Sequence, residues 1–219
     1  MRKISIFQMC VFFSLLTLII FLGVSTTFVL LGSISFGDFR GILLTLAMIF
    51  LIYSYAFIFY RLIFLKYMPL QAGEIMENST DEFIYHLYLM FFLILFYPVM
   101  RSGFFPVPVM RIVYLILGAK LGDNTYSSGI ILDPLFVEIG SNSIVGQYAL
   151  LIPHVIEGRK MAHYPIQIGN NVTIGAHSVV MSNVIIEDNA IVSVGAVVTK
   201  NSHIRAGEIW GGVPAKRIR

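Results

Sequence analysis

The stretch IQIGNNVTIGAHSVVMSNVIIEDNAIVSVGAVVTK, residues 166–200, repeats its pattern every six residues. One series of positions runs in steps of six from Ile168 to Trp210, and a second runs from Leu121 to Leu151. Eleven of these fourteen positions are Leu, Ile or Val, and Ala, Ser, Thr or Val stands four positions later in ten of twelve cases. A sandwich of alternating strands would not keep one strict period through so many steps, so the pattern favours a solenoid.

A fixed period of six is the signature of a hexapeptide β-helix. Each hexapeptide supplies one short strand and one turn, and three of them close a triangular coil. The aliphatic side chains point inward and stack on the next coil, because stability in such a solenoid comes from neighbouring repeats. We therefore predict an all-β parallel β-helix of about five coils over residues 120–219.

The register breaks once, between Leu151 and Ile168, which lie 17 residues apart. That distance is one hexapeptide plus eleven residues, so a loop must leave the coil. The loop carries His154, Glu157, Arg159 and His163. A loop extruded from a rigid scaffold is a common place for functional residues.

The N-terminal half has the composition of a membrane segment. The chain is 57% hydrophobic and 12% charged, with a mean hydropathy of +0.82, whereas soluble domains carry about 25% charged residues. Residues 7–31 and 41–65 are each long enough to span a bilayer. Basic residues flank the two outer ends of this hairpin, so the positive-inside rule places both ends, and the connector at 69–82, in the cytoplasm. The dispersed basic residues give a net charge of +3 and do not indicate nucleic-acid binding.

A third apolar segment, residues 83–100, is only marginally long enough to span, and residues 104–119 contain two prolines and an arginine. We interpret both as membrane-embedded or interfacial helices. The predicted domains are thus 1–82, a transmembrane hairpin with its connector, then 83–119, and then the β-helix of 120–219. The chain is predicted to be an integral protein of a cytoplasmic membrane, with the β-helix facing the cytoplasm.

Three segments carry a family resemblance: PIQIGNNVTIGAHSVV at 165–180, VGAVVTK at 194–200 and GVPAKRIR at 212–219. They resemble the hexapeptide-repeat acyltransferases, and in particular the sugar O-acetyltransferase branch. The resemblance implies a left-handed β-helix, a homotrimer with active sites between subunits, and acetyl-CoA as donor without a metal. With the membrane segment, it implies a sugar-type, possibly lipid-linked, acceptor whose hydroxyl or amine is acylated.

The resemblance also implies roles for individual residues. His154 would be the general base, a role that suits an imidazole with a pKa near 6.5. From the arrangement His154-x-x-Glu157-x-Arg159, and not from the resemblance, Glu157 would orient that imidazole as the third group of a triad does, or else be a solvated carboxylate. Arg159 and His163 would contact the acceptor, with support of the loop as the other interpretation of His163. Acetyl-CoA would meet Ala176, Val194, Thr199, Lys200, Lys216 and Arg219, although the three basic residues are also compatible with solvated ends of a solenoid.

Two other function classes remain open at this stage. A solenoid related to γ-type carbonic anhydrase would bind zinc with three histidines, and His154, His163 and His177 supply the residue type. Their spacing of 9 and 14 does not resemble the clustered ligands of that family. A catalytically silent trimeric membrane scaffold is the other class, and the loop histidine argues against it.

Overall fold

The computed structural model describes residues 2–219, which form an α-helical N-terminal part and a β-helical C-terminal part. Ser5 begins the first helix with a capping box, because its hydroxyl accepts from the Gln8 N–H while the Gln8 side chain accepts from the Ser5 N–H. The helices are α1 (Ile6–Leu31), α2 (Arg40–Arg61) with a π-helical continuation (Leu62–Tyr67), α3 (Thr80–Phe91) with a π-helical turn (Phe92–Phe96), α4 (Tyr97–Arg101) and α5 (Val107–Ile116). Two 3-10 turns, Gly37–Phe39 and Pro134–Phe136, complete the helical set of the described residues.

The strands are short, as a hexapeptide repeat requires. In chain order they are β1 (Gly73–Glu74), β2 (Lys120–Leu121), β3 (Tyr126–Ser127), β4 (Ile130–Ile131), β5 (Val137–Ile139), β6 (Ile144–Val145), β7 (Leu150–Leu151), β8 (His154–Glu157), β9 (Lys160–His163), β10 (Ile166–Ile168), β11 (Thr173–Ile174), β12 (Val179–Val180), β13 (Ile185–Ile186), β14 (Ile191–Val192), β15 (Val197–Val198), β16 (His203–Ile204), β17 (Ile209–Gly211) and β18 (Lys216–Arg217).

The β-helix has three parallel faces. They are built from strands β2, β5, β10, β13 and β16, from β3, β6, β11, β14 and β17, and from β4, β7, β12 and β15. The register stacks each aliphatic residue on its counterpart one coil along, as in the row Ile139, Ile168, Ile186 and Ile204, which is buried throughout. The predicted fold class, long apolar N-terminal helices followed by an all-β left-handed parallel β-helix of about five coils, is confirmed.

The first coil departs from the strict period of six. The sequence pattern assigned an inward position to Asp133, but Ile131 occupies it, fully buried and paired with Leu151. The chain therefore advances four residues from Ser127 to the next inward position and eight residues from there to Ile139. The eight-residue step accommodates the 3-10 turn, which begins directly after Asp133.

Helix α5 covers the first coil. The Arg111 guanidinium donates to the carbonyls of Thr125 and Gly122, both at 3.0 Å, and the Tyr114 hydroxyl donates to the carbonyl of Gly129 at 3.1 Å. From the sequence we expected only a membrane-embedded or interfacial helix here. The edge of a solenoid presents unpaired carbonyls that need donors, and α5 supplies them.

The chain forms two compact units. Residues 2–70 and 83–95 make one, and residues 71–82 and 96–219 make the other, so residues 71–82 of the connector group with the β-helix. The reason is that β1, within the connector, pairs antiparallel with β9. In the helical unit, Gly23 of α1 allows close approach of Ile52 of α2, since a Cβ there would stand 2.4 Å from the Ile52 side chain.

The helical unit has the character of a membrane segment by length and composition. Within residues 2–219, three helical stretches are long and apolar enough to cross a bilayer: Ile6–Leu31, Gly37–Tyr67 and Thr80–Arg101. The first two agree with the predicted spans. The third is longer than the predicted segment 83–100, and it is the most buried of the three, with 56% of its most apolar window inside the protein. His86 lies buried in this third stretch, with its Nδ1 3.3 Å from Gln8 Oε1, as a packing histidine would.

Candidate active site

The segment predicted as an extruded loop is a β-hairpin. Strands β8 and β9 pair antiparallel from His154 opposite His163 to Glu157 opposite Lys160. Gly158 makes the tight turn possible, because its φ of +61° is the left-handed value that a two-residue hairpin turn needs at its first central position. At the base of the hairpin the Tyr164 N–H donates to the Pro153 carbonyl at 2.9 Å. Both loop histidines are therefore held where the hairpin joins the rigid coil.

Asp133 is the partner of His154. Its Oδ2 lies 2.5 Å from His154 Nδ1, and its side chain is nearly buried, whereas that of His154 is 29% exposed. An ionised carboxylate can only accept, so Nδ1 carries the proton and Nε2 is left as the basic nitrogen. This is the arrangement of a general base whose orientation is fixed by a carboxylate.

The pKa of His154 is set by two opposing effects. Burial lowers the pKa, but the hydrogen bond and the negative charge of Asp133 together outweigh burial, so the pKa of His154 stands above its ordinary value. The charge of Asp133 thus makes the imidazole a stronger base and stabilises the imidazolium that proton uptake would produce.

The His163 ring is packed inside the protein and is not exposed at its surface. It is fully buried and stacks on Phe136, with ring centroids 4.4 Å apart and an interplanar angle of 13°. Burial lowers the pKa of His163, which favours the neutral ring. Of the two interpretations of His163, its burial against Phe136 favours support of the hairpin over direct contact with an acceptor. Phe136 and Asp133 come from the same irregular step of the first coil, so that step braces both histidines.

Two residues expected near His154 have other partners. Glu157 pairs with Lys200, whose hydrogen bond and charge lower the pKa of the Glu157 carboxyl. Arg159 forms a double hydrogen bond to Glu77, at 2.9 and 2.7 Å. Glu157, which we predicted as the orienting carboxylate or a solvated one, stands at the hairpin tip, and the carboxylate that lies at His154 Nδ1 is that of Asp133. Arg159, for which we predicted a contact with the acceptor, has its guanidinium bound to Glu77 at the hairpin turn.

The positions expected to contact acetyl-CoA fall into three groups. Ala176 and Val194 lie at the same corner of successive coils, where the Gly195 N–H donates to the Ala176 carbonyl at 2.9 Å. Thr199 and Lys200 occupy another corner, where the Lys200 ammonium donates to the Glu157 carboxylate. The C-terminal positions Lys216 and Arg219 are on or directly after β18, which pairs with β17. The three groups therefore lie at different positions on the β-helix.

Two open depressions on the β-helix, of 460 and 620 Å³, lie apart from this chemistry. They share Glu138, Ile168 and Gly169, on the face that contains β5 and β10. Neither is lined by His154 or Asp133. We take the histidine–carboxylate pair, and not the volume of a depression, as the mark of the candidate site.

Residues 165–200 match the family model described as bacterial transferase hexapeptide, six repeats. The repeat domain is thus similar to the hexapeptide-repeat transferases. The chain is 34% identical over 118 residues to galactoside O-acetyltransferase of Escherichia coli, a match that covers 49% of this chain. It is also 29% identical over 104 residues to the mitochondrial γ carbonic anhydrase 2 of Arabidopsis thaliana.

Among solved structures, a galactoside acetyltransferase in complex with coenzyme A is 32% identical, with a TM-score of 0.40, and the match covers 45% of this chain and 53% of that one. The chain spans 57% of the length of the E. coli acetyltransferase and 34% of that of the carbonic anhydrase.

Proposed function

We propose that this protein is a membrane-anchored acyltransferase that moves an acetyl group from acetyl-CoA to a hydroxyl or amine of a sugar-type acceptor. The observation that carries the proposal is the 2.5 Å contact between His154 Nδ1 and Asp133, at the base of a hairpin on a hexapeptide-repeat transferase scaffold. The 34% identity to galactoside O-acetyltransferase supports the choice of donor and of acceptor class.

One side chain acts first as the general base and then as the general acid. His154 Nε2 removes the proton of the acceptor group while its oxygen or nitrogen attacks the thioester carbonyl carbon. The tetrahedral intermediate collapses with cleavage of the C–S bond, and the proton on Nε2 passes to the CoA thiolate. Asp133 keeps Nδ1 protonated and stabilises the imidazolium between the two steps, so the catalytic residues are His154 and, through it, Asp133. Positioned acid–base catalysis of this kind contributes about 10²- to 10⁴-fold to a rate.

The donor would lie along the corners of the coils. Ala176 and Val194 supply backbone for the pantetheine arm, and Thr199 and Lys200 lie on the side of the catalytic hairpin. The terminal Lys216 and Arg219 supply positive charge for the nucleotide phosphates. Because these groups are distributed around one chain, the site is completed between subunits of a homotrimer.

The acceptor is expected to be held at a membrane. Three apolar helical stretches of sufficient length support anchoring, and net positive charge at the outer ends of the first hairpin supports a cytoplasmic catalytic domain. A lipid-linked sugar is the acceptor class that such an enzyme meets without leaving the bilayer surface.

The direct test is thiol release from acetyl-CoA by the purified full-length protein in phospholipid nanodiscs. A panel of a galactoside, an amino sugar and a polyprenyl-phosphate-linked sugar serves as acceptors, and the product is identified by mass spectrometry. We expect acceptor-dependent thiol release with a gain of 42 Da, about the mass of one acetyl group, on the preferred acceptor. Absence of both CoA binding and transfer across the panel would contradict the proposal and leave the silent scaffold.

A γ-carbonic-anhydrase-like activity is the second candidate, supported by the 29% identity to that family. It requires zinc held by histidines of neighbouring subunits. His163 is a poor ligand here because it is buried against Phe136, and His177 stands at an exposed corner, 5.1 Å from the Tyr148 ring. Stoichiometric zinc in the purified trimer, with CO₂ hydration, would favour this candidate over acyl transfer.

A further inference from the structure

The connector joins the second and third apolar helical stretches, and its part at residues 71–82 also supplies the third strand of the sheet that contains the β8–β9 hairpin. Strand β1 pairs antiparallel with β9, with Gly73 opposite His163 and Glu74 opposite Ala162. The Ile75 N–H then donates to the Met161 carbonyl at 2.8 Å. In the sheet order β1–β9–β8, strand β9 lies between the connector strand β1 and strand β8, which carries His154. The connector therefore covers the outer edge of β9.

Side chains add to this pairing along the hairpin. Glu77 receives two hydrogen bonds from Arg159 at the turn, and Glu74 lies 3.7 Å from Lys160 Nζ. Ile75 is 4% exposed, so its side chain is buried where the strand docks. Exposed ion pairs contribute little by themselves. The backbone pairing and the burial of Ile75 are thus the main attachments, and the ion pairs fix the register.

The hairpin is attached to the coil at its base and at its tip. At the base Tyr164 pairs with Pro153, His154 pairs with Asp133 and His163 stacks on Phe136, and at the tip Lys200 pairs with Glu157. An isolated two-stranded hairpin is only marginally stable in water, and a third strand is what gives such a unit a defined position. The connector supplies that third strand.

We propose that the connector is a positioning element for the active site: it holds the β8–β9 hairpin, and with it the His154 ring, in the geometry required for proton transfer. The inference rests on the proposed function, since it assigns a role to residues outside the catalytic pair. Both ends of the connector continue into apolar helices, so the covalent chain links the membrane segment to the hairpin that carries the base. Ile75, Glu77 and Arg159 are positioning residues in this account.

The test compares Ile75→Asp with Met76→Asp in the full-length protein in nanodiscs. The two variants add the same charge at neighbouring positions, but Ile75 is buried and Met76 is 67% exposed. Since a displacement of about 1 Å can cost about 100-fold in rate, we expect Ile75→Asp to lower kcat about 10- to 100-fold. The KM for acetyl-CoA should stay within about twofold, because the proposed donor contacts lie on the coils. Met76→Asp and Ile75→Val should stay near wild type.

Amide exchange over residues 154–163 provides a readout that does not need activity. It should accelerate in Ile75→Asp and not in Met76→Asp. If the wild type shows no transfer while exchange responds as stated, the proposed function fails and the positioning role of the connector stands as a structural one. Equal turnover and equal exchange in the two variants would overturn the inference.

A charge exchange covers the case in which Ile75→Asp does not fold, as judged by the fluorescence of Trp210, the only tryptophan in the chain. Glu77→Arg and Arg159→Glu each replace an attraction by a repulsion, so each should lower kcat by more than about threefold. The double variant Glu77→Arg/Arg159→Glu should return to within about twofold of wild type. No loss of kcat in the single variants, or no recovery in the double variant, would refute a positioning role for the ion pair between Glu77 and Arg159.

Discussion

At the scale of single residues, the central feature is a carboxylate that the repeat pattern hides. Asp133 stands at a position where the strict period of six requires an aliphatic residue, and this conflict was the available signal. Only the structure shows its resolution, in which Ile131 moves into the core and Asp133 turns towards His154. His154 itself could be predicted, because it opens the insertion that breaks the period.

Replacing Asp133 by Asn tests the orienting role. Asp133 raises the pKa of His154, so its loss lowers that pKa. Because a general base works in its unprotonated form, the rising limb of the pH–rate profile of kcat/KM should move to lower pH. The maximal rate should fall about 100-fold, since the amide no longer stabilises the imidazolium.

Glu157→Gln is the matched control, as it removes one carboxylate from the same hairpin. Glu157 pairs with Lys200 and not with His154. We expect the pH–rate profile to keep its midpoint and kcat/KM to fall by less than about fivefold, since the pair is exposed. A profile that moves in Glu157→Gln and stays in Asp133→Asn would reverse the assignment.

At the scale of elements, the sequence predicts what is periodic and misses what depends on pairing. The stacked rows of Ile and Val follow from the period alone, and so do the faces of the coil. The β8–β9 hairpin and the third strand β1 do not. The hairpin lies where the period fails, and β1 pairs with a strand more than 80 residues later in the chain. Sequence reasoning placed Glu157 and Arg159 beside His154 because they are near it in sequence, whereas the antiparallel pairing carries them to the far end of the hairpin.

The irregular first coil can be tested through its core. Ile131→Ala removes a fully buried side chain and should destabilise the β-helix by about 2–5 kcal/mol, as large-to-small changes in a core do. Ile144→Ala is the control, since Ile144 is 54% exposed and surface changes stay within about 0.5 kcal/mol. The measurement is chemical denaturation followed by Trp210 fluorescence. Equal midpoints for the two variants would mean that Ile131 does not occupy the inward position.

At the scale of the whole molecule, a hexapeptide-repeat β-helix follows a helical part with three stretches long and apolar enough to span a bilayer. The positive flanks predict that the turn between the first two stretches lies outside and the β-helix inside. In a Cys10→Ser background, a cysteine at Ser33 should react with a membrane-impermeant maleimide in intact cells. A cysteine at Arg205 should react only after lysis. Both positions are exposed in the structure, so an inverted labelling pattern would contradict the predicted orientation.

One comparison tests most directly whether His154 acts as the base in acyl transfer. Wild type and His154→Ala, both in nanodiscs, are measured for CoA binding by calorimetry and for acetyl transfer to the preferred acceptor. We predict unchanged CoA affinity, because the proposed donor contacts do not include the imidazole, and a loss of transfer of about 100-fold or more. Undiminished transfer by His154→Ala would contradict the account.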